Sequence, residues 1–108
     1  MARRVGWTEA ALEDLSATAE YIARDSARYA GGFVREAFEA SDTLTEFANR
    51  GRVVPEFEYQ AIREIFLGSH RLIYQVTTDK IFILGLVHGA RDLAALWRRE
   101  KRTGEPQP

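Results

Sequence analysis

The sequence predicts a single α+β domain in which an N-terminal strand and a helical hairpin pack on an antiparallel sheet, followed by a short C-terminal helix. Two observations carry that prediction. Between Leu12 and Phe47 apolar residues recur at three and four residue spacing, and after Ile62 the pattern changes to three strand-length apolar runs, AIREIFLGS, HRLIYQVTTD and KIFILGLVH. The breaks between those runs, Gly68-Ser69 and Thr78-Asp79, are turn residues, so the runs form an antiparallel meander. Both predicted sheet faces are largely apolar, and helices before and after the meander must cover them.

In chain order, Arg4 to Trp7 is a short extended segment that can add a strand. Thr8 suits an N-cap, and Trp7 with Leu12 can form a hydrophobic staple across the helix start. Leu12, Leu15, Ala19 and Ile22 make one buried stripe of that helix, which stops near Arg24. Asp25 or Ser26 caps a second helix with Ala30, Phe33, Val34, Ala37, Phe38, Leu44 and Phe47 on its apolar face. Gly31-Gly32 inside it costs roughly 1 kcal/mol per glycine relative to Ala and suggests close helix approach, a bend or a weak spot. Asn49-Arg50-Gly51 ends the helix, with Gly51 as a left-handed cap. Arg52 to Ala61 reads as a connector with Pro55 and two acids, Glu56 and Glu58. After the meander Asp92 caps a final helix carrying Leu93, Leu96 and Trp97. Residues 1–103 are expected to form the domain and 104–108 a frayed tail.

Two-residue loops set the register: Phe66 faces Arg71, Gln75 faces Phe82 and Arg71 faces Leu86. Strict alternation then places Arg63, Ile65, Leu67, His70, Leu72, Tyr74, Val76, Ile81, Ile83 and Val87 on one face. Glu64, Phe66, Arg71, Ile73, Gln75, Phe82, Leu84, Leu86 and His88 share the other, which brings Arg71 and His88 close together.

A chain of 108 residues supports one modest core. The absence of cysteine removes disulfides and thiolate chemistry and accords with a reducing compartment. No apolar run approaches the length of about 18 residues that a membrane span needs, and MARRVGWTEA lacks a secretory apolar stretch, so a cytoplasmic protein without a membrane partner is expected. The net charge of −1 conceals an asymmetry: Thr8 to Ala48 holds nine acids against three arginines, while the remainder is net basic, with Arg3-Arg4 and Arg98-Arg99 near its ends. Solvated helix faces account for such a split, and a polarised partner surface does so equally.

RNA cleavage by a ribose 2′-OH would need a base, an acid for the leaving oxygen and cations over the phosphate. His70, His88, Arg63, Arg71, Arg91, Glu64 and Tyr74 are the groups available. Each has a structural reading beside it: strand-end histidines, sheet-anchoring arginines, a helix-start Arg91-Asp92 pair, a core Tyr74 and a Trp97 packed on the sheet. Two histidines without helical spacing define no metal site, and no glycine loop of phosphate-binding type is present, so no cofactor is expected.

The order of elements, with VGWTEAALEDL, FANRGRVVPE, IREIFLGSHRLIYQV and ILGLVHGARD along it, resembles the RelE/ParE toxin superfamily of type II toxin–antitoxin systems, often labelled plasmid stabilisation proteins. The resemblance covers Val5 to about Trp97. It implies a toxin neutralised by a cognate antitoxin, in a hetero-oligomer with it. Ribosome-dependent relatives cut messenger RNA, whereas ParE-like relatives poison DNA gyrase without being nucleases. In the cutting members an arginine lies five positions before the arginine of the YR(I/L)xY run, and Phe66 stands there here. Arg91 matches a second catalytic arginine, but Trp97 replaces a tyrosine, and the strong basic charge of those members is missing. The VHGARD ending resembles the ParE side. Gyrase inhibition by binding is therefore expected, with Arg91, Arg98, Arg99, Arg3 and Arg4 as the reachable surface cations, and with Arg63 and Arg71 toward the antitoxin. Ribosome-dependent messenger RNA cleavage by Arg71, His88 and Arg91 is the alternative.

Overall fold

The structure, a computed structural model, describes residues 2–104. In chain order it contains β1 (Arg4–Trp7), α1 (Glu9–Ala23), α2 (Ala27–Thr43), β2 (Arg52–Val53), β3 (Ile62–Leu67), β4 (His70–Val76), β5 (Lys80–His88) and α3 (Leu93–Glu100). The five strands form one sheet in the order β1-β5-β4-β3-β2. All neighbours are antiparallel except β1, which runs parallel to β5, so the expected antiparallel meander gains one parallel edge strand. β2 pairs Arg52 and Val53 with Glu64 and Arg63, adding a strand within what reads in sequence as connector.

Thr8 joins strand to helix as predicted. Its hydroxyl accepts from the Ala11 N–H at 3.2 Å and donates to the Ile83 carbonyl at 2.8 Å, so one side chain caps α1 and ties its start to β5. The staple does not form: the Trp7 ring packs on Phe38 at 5.0 Å, its indole N–H reaches Ser41, and Leu12 stays 45% exposed. Ser26, rather than Asp25, caps α2 by accepting from the Tyr29 N–H. α2 ends at Thr43, earlier than expected, and an irregular turn carries Leu44 into the core and leaves Phe47 exposed. A Cβ on Gly31 or Gly32 would meet open space, so neither glycine marks a close helix approach.

Gly51 is not a left-handed cap, since Gly68 is the glycine with positive φ among the described residues. Gly51 is required by proximity instead. A Cβ there would lie 2.5 Å from the Glu64 carbonyl oxygen and 2.7 Å from the Tyr74 hydroxyl.

Two cores result, one on each sheet face. The hairpin face gathers Ala11, Leu15, Ala37, Leu44, Ile65, Leu67, Leu72, Tyr74, Ile81, Ile83 and Leu86, with Val5, Trp7 and Phe33 at its margin. The opposite face gathers Val54, Ile73, Leu84, Val87, Leu93 and Leu96, with Phe57, Phe82 and Trp97. Hairpin on one side and C-terminal helix on the other is the predicted arrangement. Asp92 caps α3 by accepting from the Ala95 N–H at 3.0 Å. The chain stays packed beyond α3: the Gly104 N–H donates to the Gln75 side chain, and Gly104 lies against Phe82. The rest of the predicted frayed tail, 105–108, lies outside the described residues.

The hairpin register holds from Phe66↔Arg71 to Gln75↔Phe82 and then departs from expectation on β5. Tyr74 faces Ile83 but Ile73 faces Gly85, which leaves Leu84 as an extra residue, a β-bulge. One extra residue inverts every later side chain. Leu86 therefore joins the hairpin core and Val87 the α3 core, the reverse of strict alternation.

Candidate functional site

The bulge decides which chemistry can assemble. Arg71 faces Val87, not Leu86, and His88 faces His70. The expected Arg71/His88 cluster is thereby overturned, because the two side chains occupy opposite faces of the sheet.

Arg71 is instead the centre of a buried charge network. Its Nε donates to Glu64, whose side chain is 0% exposed, and its two terminal nitrogens each donate to a Glu56 oxygen at 2.8 Å. Glu64 also accepts from Arg52 Nε at 2.7 Å. A bidentate pair of this kind is held by both charge and shape. The Arg71 hydrogen bonds hold the Glu56 carboxyl below the usual carboxylate range, against burial that pushes the other way. Glu56 lies in the segment between β2 and β3, so the network fastens that segment to β4. Arg63, next to Glu64 in sequence but on the other face of β3, donates to the Gly51 carbonyl at 2.9 Å, and its buried Nε has no partner among the described residues.

Tyr74 is core, as its setting between Leu72 and Val76 implies. Its hydroxyl donates to the Ala48 carbonyl at 2.8 Å and accepts from the Gly51 N–H at 2.9 Å. Burial pushes the phenol up, so it is poorly suited to giving a proton at neutral pH.

The two histidines form a cross-strand pair with ring centres 5.3 Å apart, and His70 also meets the Phe33 edge at 5.3 Å. His88 Nδ1 accepts from the Ala90 N–H, which orients that ring toward its own turn. Burial pulls His70 below the ordinary histidine value of 6.5, and the neighbouring His88 adds to this. A depressed folded value means the unfolded chain takes up the proton first, so stability present above about 6.5 is lost on acidification through the folded value. His70 should titrate below 6.5 by proton NMR, and His88→Asn should move it part of the way back. A His70 titration at or above 6.5 in the native protein contradicts the packing described.

Phe66 stands opposite Arg71 across β3 and β4. It is 53% exposed, with the Arg52 guanidinium 5.1 Å over its ring. Trp97 packs against Phe57 at 5.1 Å within the α3 core.

The exposed cations lie elsewhere. Arg91, Arg98 and Arg99 are exposed on the turn before α3 and on its last turn, Arg4 is exposed on β1, and none of the four makes an ion pair among the described residues. Arg3 is half-buried and spends its Nε on the Thr77 carbonyl at 2.9 Å. Sequence reasoning missed Arg102, whose side chain is only 8% exposed and pairs with Asp14. Its spacing from Asp14 leaves no local signal.

The model of the ParE toxin of type II toxin–antitoxin systems, parDE, matches residues 5–93. The chain belongs to that family. Similar solved structures agree in fold. A chain of the chromosomal ParDE system from P. aeruginosa superposes with a TM-score of 0.66 at 24% identity, covering 81% of this chain and 96% of that one. A chain of the toxin–antitoxin complex RelBE2 from Mycobacterium tuberculosis gives 0.60 at 20% identity, covering 82% and 99%. Among proteins of curated function none matches this sequence. As a ParE-family toxin the chain is the toxin component of a type II system, and a cognate antitoxin protein is its partner. No helix among the described residues is long and apolar enough to cross a membrane.

Proposed function

We propose that this toxin inhibits DNA gyrase by binding it, through the exposed cations on and before α3, and that its antitoxin blocks that encounter. The observation that supports this most directly is the free state of Arg91, Arg98 and Arg99, which hold no acid of their own chain among the described residues. Arg4 is similarly available, whereas Arg3 is partly committed to Thr77. Unpaired surface arginines add little to folding and remain available to acids or phosphates of a partner. Hydrolysis has less to work with, because Arg71 is enclosed by Glu64 and Glu56 and His88 lies across the sheet from it.

The antitoxin is proposed to cover the exposed aromatics of the hairpin, Tyr21, Tyr29 and Phe38, together with Arg63. An antitoxin carboxylate that reaches Arg71 must first displace Glu56.

The test is a supercoiling assay with purified gyrase and purified toxin, beside a translation assay at the same concentrations. The wild-type toxin should block supercoiling or trap a cleavage complex and leave translation intact. Arg98→Glu with Arg99→Glu should abolish the effect, as should Arg91→Glu, while each exposed change moves stability by only about 0.5 kcal/mol. Unimpaired supercoiling without a trapped complex would reject the reading, and codon-phased transcript cuts would replace it with messenger RNA cleavage.

A further inference from the structure

Among the described residues no strand continues along β5 beyond Ile83, because β1 ends at Trp7, the partner of Ile83. An open edge must find hydrogen-bond partners for its backbone groups. Here the partners are two side chains from opposite layers. Asp14 of α1 accepts from the Leu86 N–H at 3.0 Å, and Arg102, after α3, donates to the Leu84 carbonyl at 3.1 Å. The two side chains also pair with each other through both terminal guanidinium nitrogens and both carboxylate oxygens.

Three further features hold Arg102 in place. Glu100 accepts from its Nε at 3.1 Å, the Trp97 ring lies 5.7 Å from its Cζ, and Gly85 leaves room for it. A Cβ on Gly85 would lie 2.6 Å from Arg102 Nη1 and 3.2 Å from Asp14. The bulge, the glycine within it and the ion pair therefore form one device. Arg102 also lies beyond residue 93, where the family match stops.

We propose that Arg102 is a positioning residue: it fastens the end of α3 to the β5 edge and so sets where Arg98 and Arg99 stand for contact with the target. α3 has only eight residues and is anchored at its start by Leu93 and Leu96. Isolated helices of that length are not stable in water, so its last turn depends on tertiary contacts. Arg102 supplies such a contact two residues after the helix ends. Its role in target contact rests on the gyrase reading, whereas its fastening of α3 does not.

The experiment compares Arg102→Met, Arg102→Lys and Gly85→Ala with the wild type. Gly85→Ala keeps the arginine but crowds it out of its seat, which guards against Arg102→Met simply failing to fold. Amide exchange at Lys101, whose N–H donates to the Trp97 carbonyl and closes the last turn, should quicken at least tenfold in Arg102→Met and Gly85→Ala. Gyrase inhibition, measured well below the unfolding temperature, should weaken at least tenfold in the same two variants. Arg102→Lys should recover part of both, because an ammonium can reach Asp14 but cannot make the forked contact. Unchanged exchange in both disruptive variants overturns the proposal. Faster exchange with undiminished inhibition also overturns it, provided Arg98→Glu with Arg99→Glu abolishes inhibition. If that double reversal leaves inhibition intact, the gyrase reading itself has failed, and the exchange measurement alone then upholds or rejects the fastening.

Discussion

Replacing Arg71 with methionine should cost about 3–5 kcal/mol, the usual penalty for breaking a buried pair and leaving one charge behind. Glu64 is the charge left behind: its side chain is fully buried, and its remaining partner, Arg52, approaches from a side chain that is itself largely in solvent. In a domain whose whole stability is about 5–15 kcal/mol, that loss is a large share. Urea denaturation should show a much lower midpoint, and Glu64→Gln in the same chain should recover part of it, because the pair is coupled. Glu56 provides a second readout. Its carboxyl is held low chiefly by Arg71, so the stability it contributes is present above its ordinary value of 4.5 and is lost as pH falls through the folded value. In Arg71→Met that part of the acid dependence should disappear. A variant with near wild-type stability would mean that the segment between β2 and β3 is not held by this network.

The second large effect is expected where Gly51 passes Tyr74. Gly51→Ala places a methyl against the Glu64 backbone carbonyl, which cannot swing aside as a side chain end can, so the cost is about 1–3 kcal/mol or more. Tyr74→Phe removes the hydroxyl that serves the Ala48 carbonyl and the Gly51 N–H, leaving two buried groups unpaired at about 1–3 kcal/mol each. The two changes act on one contact, so their double variant should fall short of the sum. Denaturation curves of the three variants check this, and amide exchange at Gly51 should quicken in Tyr74→Phe. Additive losses would show that the glycine and the tyrosine act separately.

Elements whose causes lie within a few residues were legible before any coordinates. Thr8 and Asp92 cap the helices they precede, Gly68-Ser69 sets the register that pairs Phe66 with Arg71, and the change of apolar period near Ile62 separates helices from sheet. The resemblance carried by IREIFLGSHRLIYQV and ILGLVHGARD pointed to the toxin family that the match over residues 5–93 shows. The candidate surface was partly legible too, since Arg98 and Arg99 come directly after Leu96 and Trp97 and fall on the last turn of a helix whose apolar side is used elsewhere.

Legibility ended where a single backbone departure or a distant partner decided the outcome. The extra residue at Leu84 inverts every later side chain of β5, moving His88 away from Arg71 and beside His70. Gly85 offered only an ambiguous signal for that, since a glycine within a strand accompanies bulges and plain close approaches alike. β1 lies parallel beside β5 although the helical hairpin and three strands separate them in sequence, and Asp14 meets Arg102 across 88 positions of sequence. Periodicity reports which side of an element turns away from water, because burial repeats with the element's own geometry. Which charge meets which, and whether an arginine faces a partner or is enclosed by its own glutamates, depends on how the elements are brought together. Arg71 and Arg98 carry the same guanidinium, and their different surroundings, two enclosing glutamates in one case and open solvent in the other, exist only in the folded chain.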